Sequence, residues 1–425
     1  MTVASSASLG RPVSDQKRIL LMNGSLVDGS TDRPVPGINL LIDGGLVREV
    51  SERAISNVSD IVIDLNGRVI MPGLIDAHVH VVAGTANLAD NAGLPDSLVT
   101  AQAVGILARM LRRGFTTVRD VGGADYGLVR AIELGLIKGP RLVICGKALS
   151  QTGGHTDFRG RFDGRDRTRF THRLGSLGRL CDGIDEVRRA CREEIKGGAR
   201  FLKIMANGGV ASPNDPIEAL GFSLDEIRVV VEEARAANTY VAAHVYTDNA
   251  IRRCLELGVR SLEHCNLVQP DTARAIAASD AFVCPTLIVY DAVHRFGARS
   301  GIPAASLAKL EHVRHAGFQS LDILRAAGVR MTFGTDLLGL MHDDQSEEFV
   351  LRSRVLPNQE IIRSATSEAA RLLNMEGIIG TLEPGGCADL VVVDGDPLRN
   401  IGLLTDQGQH MPVIIKDGRF VKNEL

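Results

Sequence analysis

Tryptophan is absent from the 425 residues, and aromatic side chains make up only 4% of them. With hydrophobic residues at 44%, the core must be built mainly from Val, Ile, Leu and Ala. No apolar run reaches the ~18 residues that a membrane-spanning helix needs, so no membrane partner is expected. Neither sign of charge dominates: 48 Lys and Arg stand against 51 Asp and Glu, a net charge of −3. Nucleic-acid binders and polybasic membrane-surface proteins need a clear positive excess, so both classes are disfavoured. The seven cysteines are odd in number and form no CxxC pair, which argues against a disulfide framework and for a reducing compartment. Residues 1–17 lack the apolar stretch of a secretory signal, and the chain as given reads as cytoplasmic.

What is present is an alternation. After a polar, Ser-rich tail over 1–17, residues 18–68 read as short strands broken by Asn-Gly and Asp-Gly turns. The same texture returns over 376–425, which suggests one small β-sandwich domain assembled from both chain ends. Between them, 69–375 repeats a helical stretch followed by a short apolar strand. Strands are expected at 68–78, 114–121, 140–146, 199–206, 239–246, 258–265, 281–289 and 328–336. Near-continuous apolar strands suit a parallel sheet buried on both faces. Helical periodicity is clear over 184–198, where Ile184, Val187, Ala190, Cys191 and Ile195 form a stripe. Eight such alternations give the (β/α)8 TIM-barrel pattern. A doubly wound sheet is the competing fold, but no Gly-rich phosphate turn follows an early strand.

Chemistry concentrates at the C-terminal ends of these strands. His78 and His80 are two apart at the end of the first, so both imidazoles project to one side and can share a cation. Lys203 interrupts the apolar ARFLKIMA stretch, where a buried ammonium must be paired or neutralised. A neutral lysine can react with CO2 to give an anionic carbamate able to bridge two cations. His244, His264 and Asp336 end the fifth, sixth and eighth strands. Nitrogen and carboxylate donors without thiolates suit a hydrolytic Zn2+ or a similar divalent ion.

These residues and their flanks resemble the amidohydrolase superfamily, in particular binuclear members related to imidazolonepropionase-like proteins and Xaa-Pro dipeptidases. The likeness runs through VIMPGLIDAHVH (69–80), TTVRDVGG (116–123), QTGGH (151–155), FLKIMANGG (201–209) and AAHVY (242–246). It continues through SLEHC (261–265), FGTD (333–336) and GTLEPGGCADLVVVDGDP (380–397). Within the group the chain looks like the ochratoxin-hydrolysing amidohydrolases. The resemblance implies two divalent ions, most simply Zn2+. His78, His80 and Asp336 would hold one, and His244 and His264 the other, with carboxylated Lys203 bridging them. It assigns Tyr246 to polarising the scissile carbonyl and His155 to contacting substrate. It also implies a homo-oligomer, with an octamer as one form.

The expected activity is hydrolysis of the amide bond of an N-acyl or aminoacyl amino acid with a free carboxylate. Ochratoxin A, an acylated phenylalanine, is the named example. In that reaction Asp336 takes a proton from water and returns it to the leaving nitrogen. Dipeptidase and cyclic-amide hydrolase activity are the alternatives; a deaminase fits Lys203 less well, and a non-catalytic assembly protein would not keep every ligand. The long segment 151–183 carries Arg159, Arg161, Arg165, Arg167, Arg169, Arg173 and Arg179, which suit capture of a substrate carboxylate. His294 and His342, in or near the loops after the seventh and eighth strands, are further substrate-binding candidates.

Overall fold

The computed structural model describes residues 17–425 apart from 57–58, 161, 213–214, 298, 300 and 303. The expected tail therefore lies, Lys17 aside, outside the described residues.

The first five strands are β1 (Ile19–Leu26), β2 (Val35–Asp43), β3 (Leu46–Ser51), β4 (Ile61–Asp64) and β5 (Val69–Pro72). Nine strands follow through the middle of the chain: β6 (Leu74–Val79), β7 (Phe115–Asp120), β8 (Arg141–Ile144), β9 (Ala148–Ser150), β10 (Gly178–Leu180), β11 (Leu202–Met205), β12 (Val241–Thr247), β13 (Ser261–Leu267) and β14 (Phe282–Cys284). The C-terminal part adds β15 (Leu390–Val393), β16 (Val413–Lys416) and β17 (Arg419–Asn423).

Both ends of the chain enter one eight-stranded sheet, ordered β17-β16-β15-β5-β1-β2-β3 with β4 on β1. Its apolar face packs Leu21, Leu40, Ile70, Leu390 and Ile415 into a core of its own. The middle strands are parallel, in a six-stranded sheet β10-β9-β11-β12-β13-β14 and a three-stranded sheet β6-β7-β8. Helices alternate with them, so the fold is α/β with parallel sheets. The segment expected as the eighth strand makes only an isolated bridge, Met331 to Val283. It nonetheless bonds on both sides. Thr332 N–H donates to Val283 O (2.9 Å), Ala77 N–H to Phe333 O (2.8 Å) and Asp336 N–H to His78 O (2.8 Å).

Three local expectations are corrected. The stretch 68–78 is two strands: β5 pairs with β1 and β15 in the terminal sheet, while β6 pairs with β7. Gly73 separates them, and a Cβ there would collide with the Thr116 side chain. The stretch 281–289 is a strand only at 282–284, and a helix already starts at Leu287. Pro285 lacks an N–H for the ladder, and the Glu348 carboxylate accepts the Ile288 N–H (2.7 Å) at the helix start. Ile184 is exposed in the first turn of the helix Gly183–Lys196, whereas Val187, Ala190 and Cys191 are buried as the stripe requires. The extra strands β9 and β10, at either end of the long Arg-rich segment, carry too few residues for periodicity to show.

Among the described residues no helix is long and apolar enough to cross a membrane. At the β5–β6 junction, Gly73→Ala is expected to lower stability by about 1–3 kcal/mol through overpacking. Thermal unfolding should show the loss, and adding Thr116→Ala should recover most of it.

Candidate metal centre

Four histidines and an aspartate converge at the C-terminal ends of the parallel strands. His78 and His80 leave the end of β6, and their ring centroids lie 5.5 Å apart. Both Nε2 atoms reach the same oxygen, Oδ1 of Asp336, at 3.3 and 3.2 Å. His264 on β13 lies 5.0 Å from His78 and 4.7 Å from His244 on β12, centroid to centroid. Ligand atoms of His78, His264 and Asp336 all fall within 4.8 Å of one another. Lys203, on β11 beside β12, is fully buried.

Backbone irregularity aims two of these groups. Asp336 has φ +57°, and His264 and Cys265 follow one another at +71° and +56°. Such values are uncommon for residues other than glycine. The pair in β13 coincides with a register shift, Val245 facing His264 but Thr247 facing Leu267. A bulge of this kind bends the strand and re-aims a side chain. Here it accompanies the approach of His264 to His244, while Cys265 packs into the apolar core.

The outer nitrogens of three rings are tied down. His78 Nδ1 donates to Glu263 Oε2 (2.7 Å), and His80 Nδ1 to the Gly122 carbonyl (2.9 Å). His264 Nδ1 lies 2.8 Å from Thr286 Oγ1. A neutral imidazole has one N–H. With it placed on Nδ1, His78 and His80 each turn an Nε2 lone pair toward the lone pairs of Asp336 Oδ1. That arrangement is repulsive until a cation lies among the three atoms. His244 Nε2 is buried without a partner. The donor chemistry, the convergence and the orphaned nitrogen all fit divalent metal ions, with outer partners orienting the ligands as metal-binding histidines require.

Electrostatics point the same way. Burial works against the charge on Glu263, but Arg119 and then Lys203 and His78 hold its carboxyl well below the usual range. Arg119 meets it with Nη2–Oε1 at 2.8 Å, both side chains fully buried. Burial likewise opposes ionised Asp336, and positive charge among the surrounding imidazoles, His78 first, more than offsets it. Burial depresses His244 and His264 far below an ordinary histidine, keeping them neutral and able to bind metal. Burial also lowers the Lys203 ammonium, with Glu263 opposing and Arg119 assisting.

Around this cluster stand residues that sequence reasoning did not single out. Glu263, Arg119, Asp76 and Asp120 are all fully buried. Asp76 accepts from Thr335 Oγ1 (2.6 Å), Gln345 Nε2 (2.9 Å) and the His78 N–H (3.1 Å). Asp120 accepts the N–H groups of Val81, Gly122 and Ala124. The argument that marked Lys203, a charge inside an apolar strand, applies equally to Arg119 and Glu263 and could have found them.

His155 stacks on His244 at 4.3 Å and bonds Asp215 Oδ2 through Nδ1 (3.1 Å). Gly209 makes room for it, because a Cβ there would overlap the imidazole. Tyr246 is buried and stacks on His264 at 5.1 Å, and burial keeps its phenol protonated. His342 is buried, with Nε2 bonded to the Ala83 carbonyl (3.1 Å) and Nδ1 without a partner. The structure does not bring His294 to this cluster. It is half-exposed on the helix Leu287–Phe296 and bonds Glu311 (2.8 Å). The arginines of 151–183 are largely engaged as well. Arg159 pairs with Asp157, Arg165 with Asp163, Arg167 with Asp182 and Glu186, Arg173 with Asp96, and Arg179 with Glu193 and Glu194. Arg161 lies outside the described residues.

Burial pushes the His342 imidazole down to about 4 from its ordinary 6.5. Its neutral form therefore stabilises the fold above about pH 6.5, and that contribution is lost as pH falls toward 4. Unfolding measured across this window should lose about 3 kcal/mol on its account, and His342→Gln should flatten that part of the profile.

Residues 69–421 match the amidohydrolase family. Ochratoxinase of Aspergillus niger is 31% identical over 346 residues, which span 78% of this chain and 72% of that protein. The solved ochratoxinase superposes with a TM-score of 0.84 at 26% identity, covering 96% of each chain. A crystal structure of an amidohydrolase matches at TM-score 0.95 and 50% identity, covering 96% of this chain and all of that one. A prolidase complexed with N-methylphosphonate-L-proline matches at 0.93 and 47%, with the same coverage. Sequence match, backbone superposition and the inward-facing nitrogens agree: the chain belongs to the amidohydrolase family of hydrolytic enzymes.

Proposed function

We propose that the chain is a binuclear-metal amidohydrolase. It cleaves the amide bond joining an acyl or aminoacyl group to an amino acid with a free carboxylate. The observation that carries this reading is the meeting of His78, His80 and Asp336 beside neutral His244 and His264 and buried Lys203. The related proteins support the substrate class. One relative is named ochratoxinase, and the prolidase neighbour is complexed with N-methylphosphonate-L-proline.

His78, His80 and Asp336 would hold one divalent ion, and His244 and His264 a second. Lys203 would join both after its neutral amine adds to CO2 with loss of a proton. Divalent ions held there, most simply Zn2+, supply Lewis acidity that acidifies water and polarises the scissile carbonyl. Asp336, ionised in its histidine surroundings, accepts the proton of the attacking water and returns it to the departing nitrogen. The Tyr246 hydroxyl, protonated because it is buried, donates to the carbonyl oxygen as negative charge develops there. His155, stacked over His244 and braced by Asp215, lines the approach and contacts substrate. His342 is a second candidate contact.

The architecture belongs to the same proposal. The bonds of 331–336 to both β14 and β6 support a closed (β/α)8 barrel over 69–375. The terminal strands would then form a β-sandwich domain from 18–68 and 376–425. A homo-oligomer is the proposed assembly, supported by Phe162 and Leu340, large apolar side chains left almost wholly exposed.

Turnover of a panel tests the reading: ochratoxin A, N-acyl-L-prolines, Xaa-Pro dipeptides, hydantoin and an imidazolone. Linear amides with a free carboxylate should be cleaved fastest. Esterifying that carboxylate should slow cleavage sharply, and a preference for the ring amides would defeat the proposal. Lys203→Ala should retain less than half the metal measured by elemental analysis and lose most activity. Tyr246→Phe should keep its metal while kcat falls about 10²–10³-fold.

A further inference from the structure

Tyr290 is buried on the inner side of the helix Leu287–Phe296, where phenylalanine would fill the same space without a polar atom to satisfy. Its hydroxyl is engaged. It lies 3.1 Å from the Tyr246 hydroxyl and 3.4 Å from Asn266 Oδ1. The Asn266 amide nitrogen is fixed on the Val313 carbonyl (2.9 Å), so Asn266 presents only an acceptor to Tyr290. That oxygen and the Tyr246 oxygen are thus both acceptors within reach of the single Tyr290 O–H. The nearer recipient of its proton is the Tyr246 oxygen. A phenol oxygen that accepts from Tyr290 keeps its own O–H for another partner.

The helix carrying Tyr290 is itself held from within. The buried Glu348–Arg352 pair (2.7 Å) reaches its start from both sides. Glu348 accepts the Ile288 N–H, and Arg352 Nη2 donates to the Pro285 carbonyl (2.6 Å). Thr286, the residue before the helix, bonds His264. One rigid element thus contacts the His264 imidazole at its entry and the Tyr246 hydroxyl one turn later.

We infer that Tyr290 is a positioning residue for the amide hydrolysis: its hydroxyl donates to Tyr246 and so aims the remaining Tyr246 O–H at the substrate carbonyl. The inference rests on the proposed role of Tyr246, and it adds a residue outside the metal-ligand set whose effect passes wholly through that phenol. A donor fixed before the reaction needs no reorganisation when charge develops. Without the Tyr290 hydroxyl, the Tyr246 O–H loses the donor that fixes its direction.

A double-mutant cycle on the full-length, metal-loaded enzyme tests this, with the panel amide that the wild type cleaves fastest as probe. Tyr290→Phe keeps the ring and removes one hydrogen bond. It should lower kcat about five- to tenfold, with KM within about twofold and metal content and Tm unchanged. In the Tyr246→Phe background the same change should have no further effect, because the group it aims is gone. Wild-type kcat in Tyr290→Phe overturns the inference, as do multiplicative losses in the double variant. Loss of metal in Tyr290→Phe also overturns it, by showing that the residue serves the His264 side instead. Failure of the parent reading looks different: Tyr246→Phe would retain full metal and wild-type kcat, or the wild type would cleave none of the amides, and the inference would fall with it.

Discussion

The structure depends on charge buried at the C-terminal ends of parallel strands. Glu263 and Arg119 are fully sequestered from water, and Glu263 also anchors His78 from behind. Isolated buried charges of this kind are costly, and removing one partner leaves the other uncompensated. Here the expense is offset by mutual pairing, and it yields two things. It holds the His78 ring through Nδ1, and it turns the Nε2 of that ring inward toward Asp336. An apolar core of the same volume would pack as well but would orient nothing.

The oriented shell is spread over many elements. Each tied-down histidine uses a different kind of partner: a carboxylate for His78, a backbone carbonyl for His80, a threonine hydroxyl for His264. Those partners come from β13, from the turn after β7 and from the residue preceding the helix Leu287–Phe296. Movement of β13 would disturb two imidazoles at once, because it carries His264 as well as the Glu263 that holds His78. The left-handed backbone at His264, Cys265 and Asp336 marks where local conformational preference yields to this arrangement.

The same logic extends outward. Asp215 sets the His155 ring that stacks on His244, and Lys309 in turn gathers the carbonyls of Gly209, Ser212 and Asp215 around its ammonium. The helix Leu287–Phe296, held by Glu348 and Arg352, presents Tyr290 to Tyr246. His155, through Asp215 and Lys309, and Tyr246, through Tyr290, are thereby braced by the helices Ala304–Ala326 and Leu287–Phe296.

The sequence by itself determined the α/β alternation and singled out His78, His80, Lys203, His244, His264 and Asp336 as a candidate ligand set. These are local properties: strand periodicity sends residues two apart to one side, and a charge inside an apolar strand stands out without knowledge of its neighbours. It also marked both chain ends as β-rich. Only the tertiary structure decided which groups meet. Glu263 and Arg119 are 144 residues apart, and no periodicity shows that they pair. The split of 68–78 at Gly73 follows from the approach of Thr116, a contact between strands. His294 and the loop arginines looked equally fit for substrate binding in one dimension. In the folded chain His294, Arg159, Arg165, Arg167, Arg173 and Arg179 meet acidic partners, because a side chain's nearest opposite charge is set by packing and not by its place in the chain.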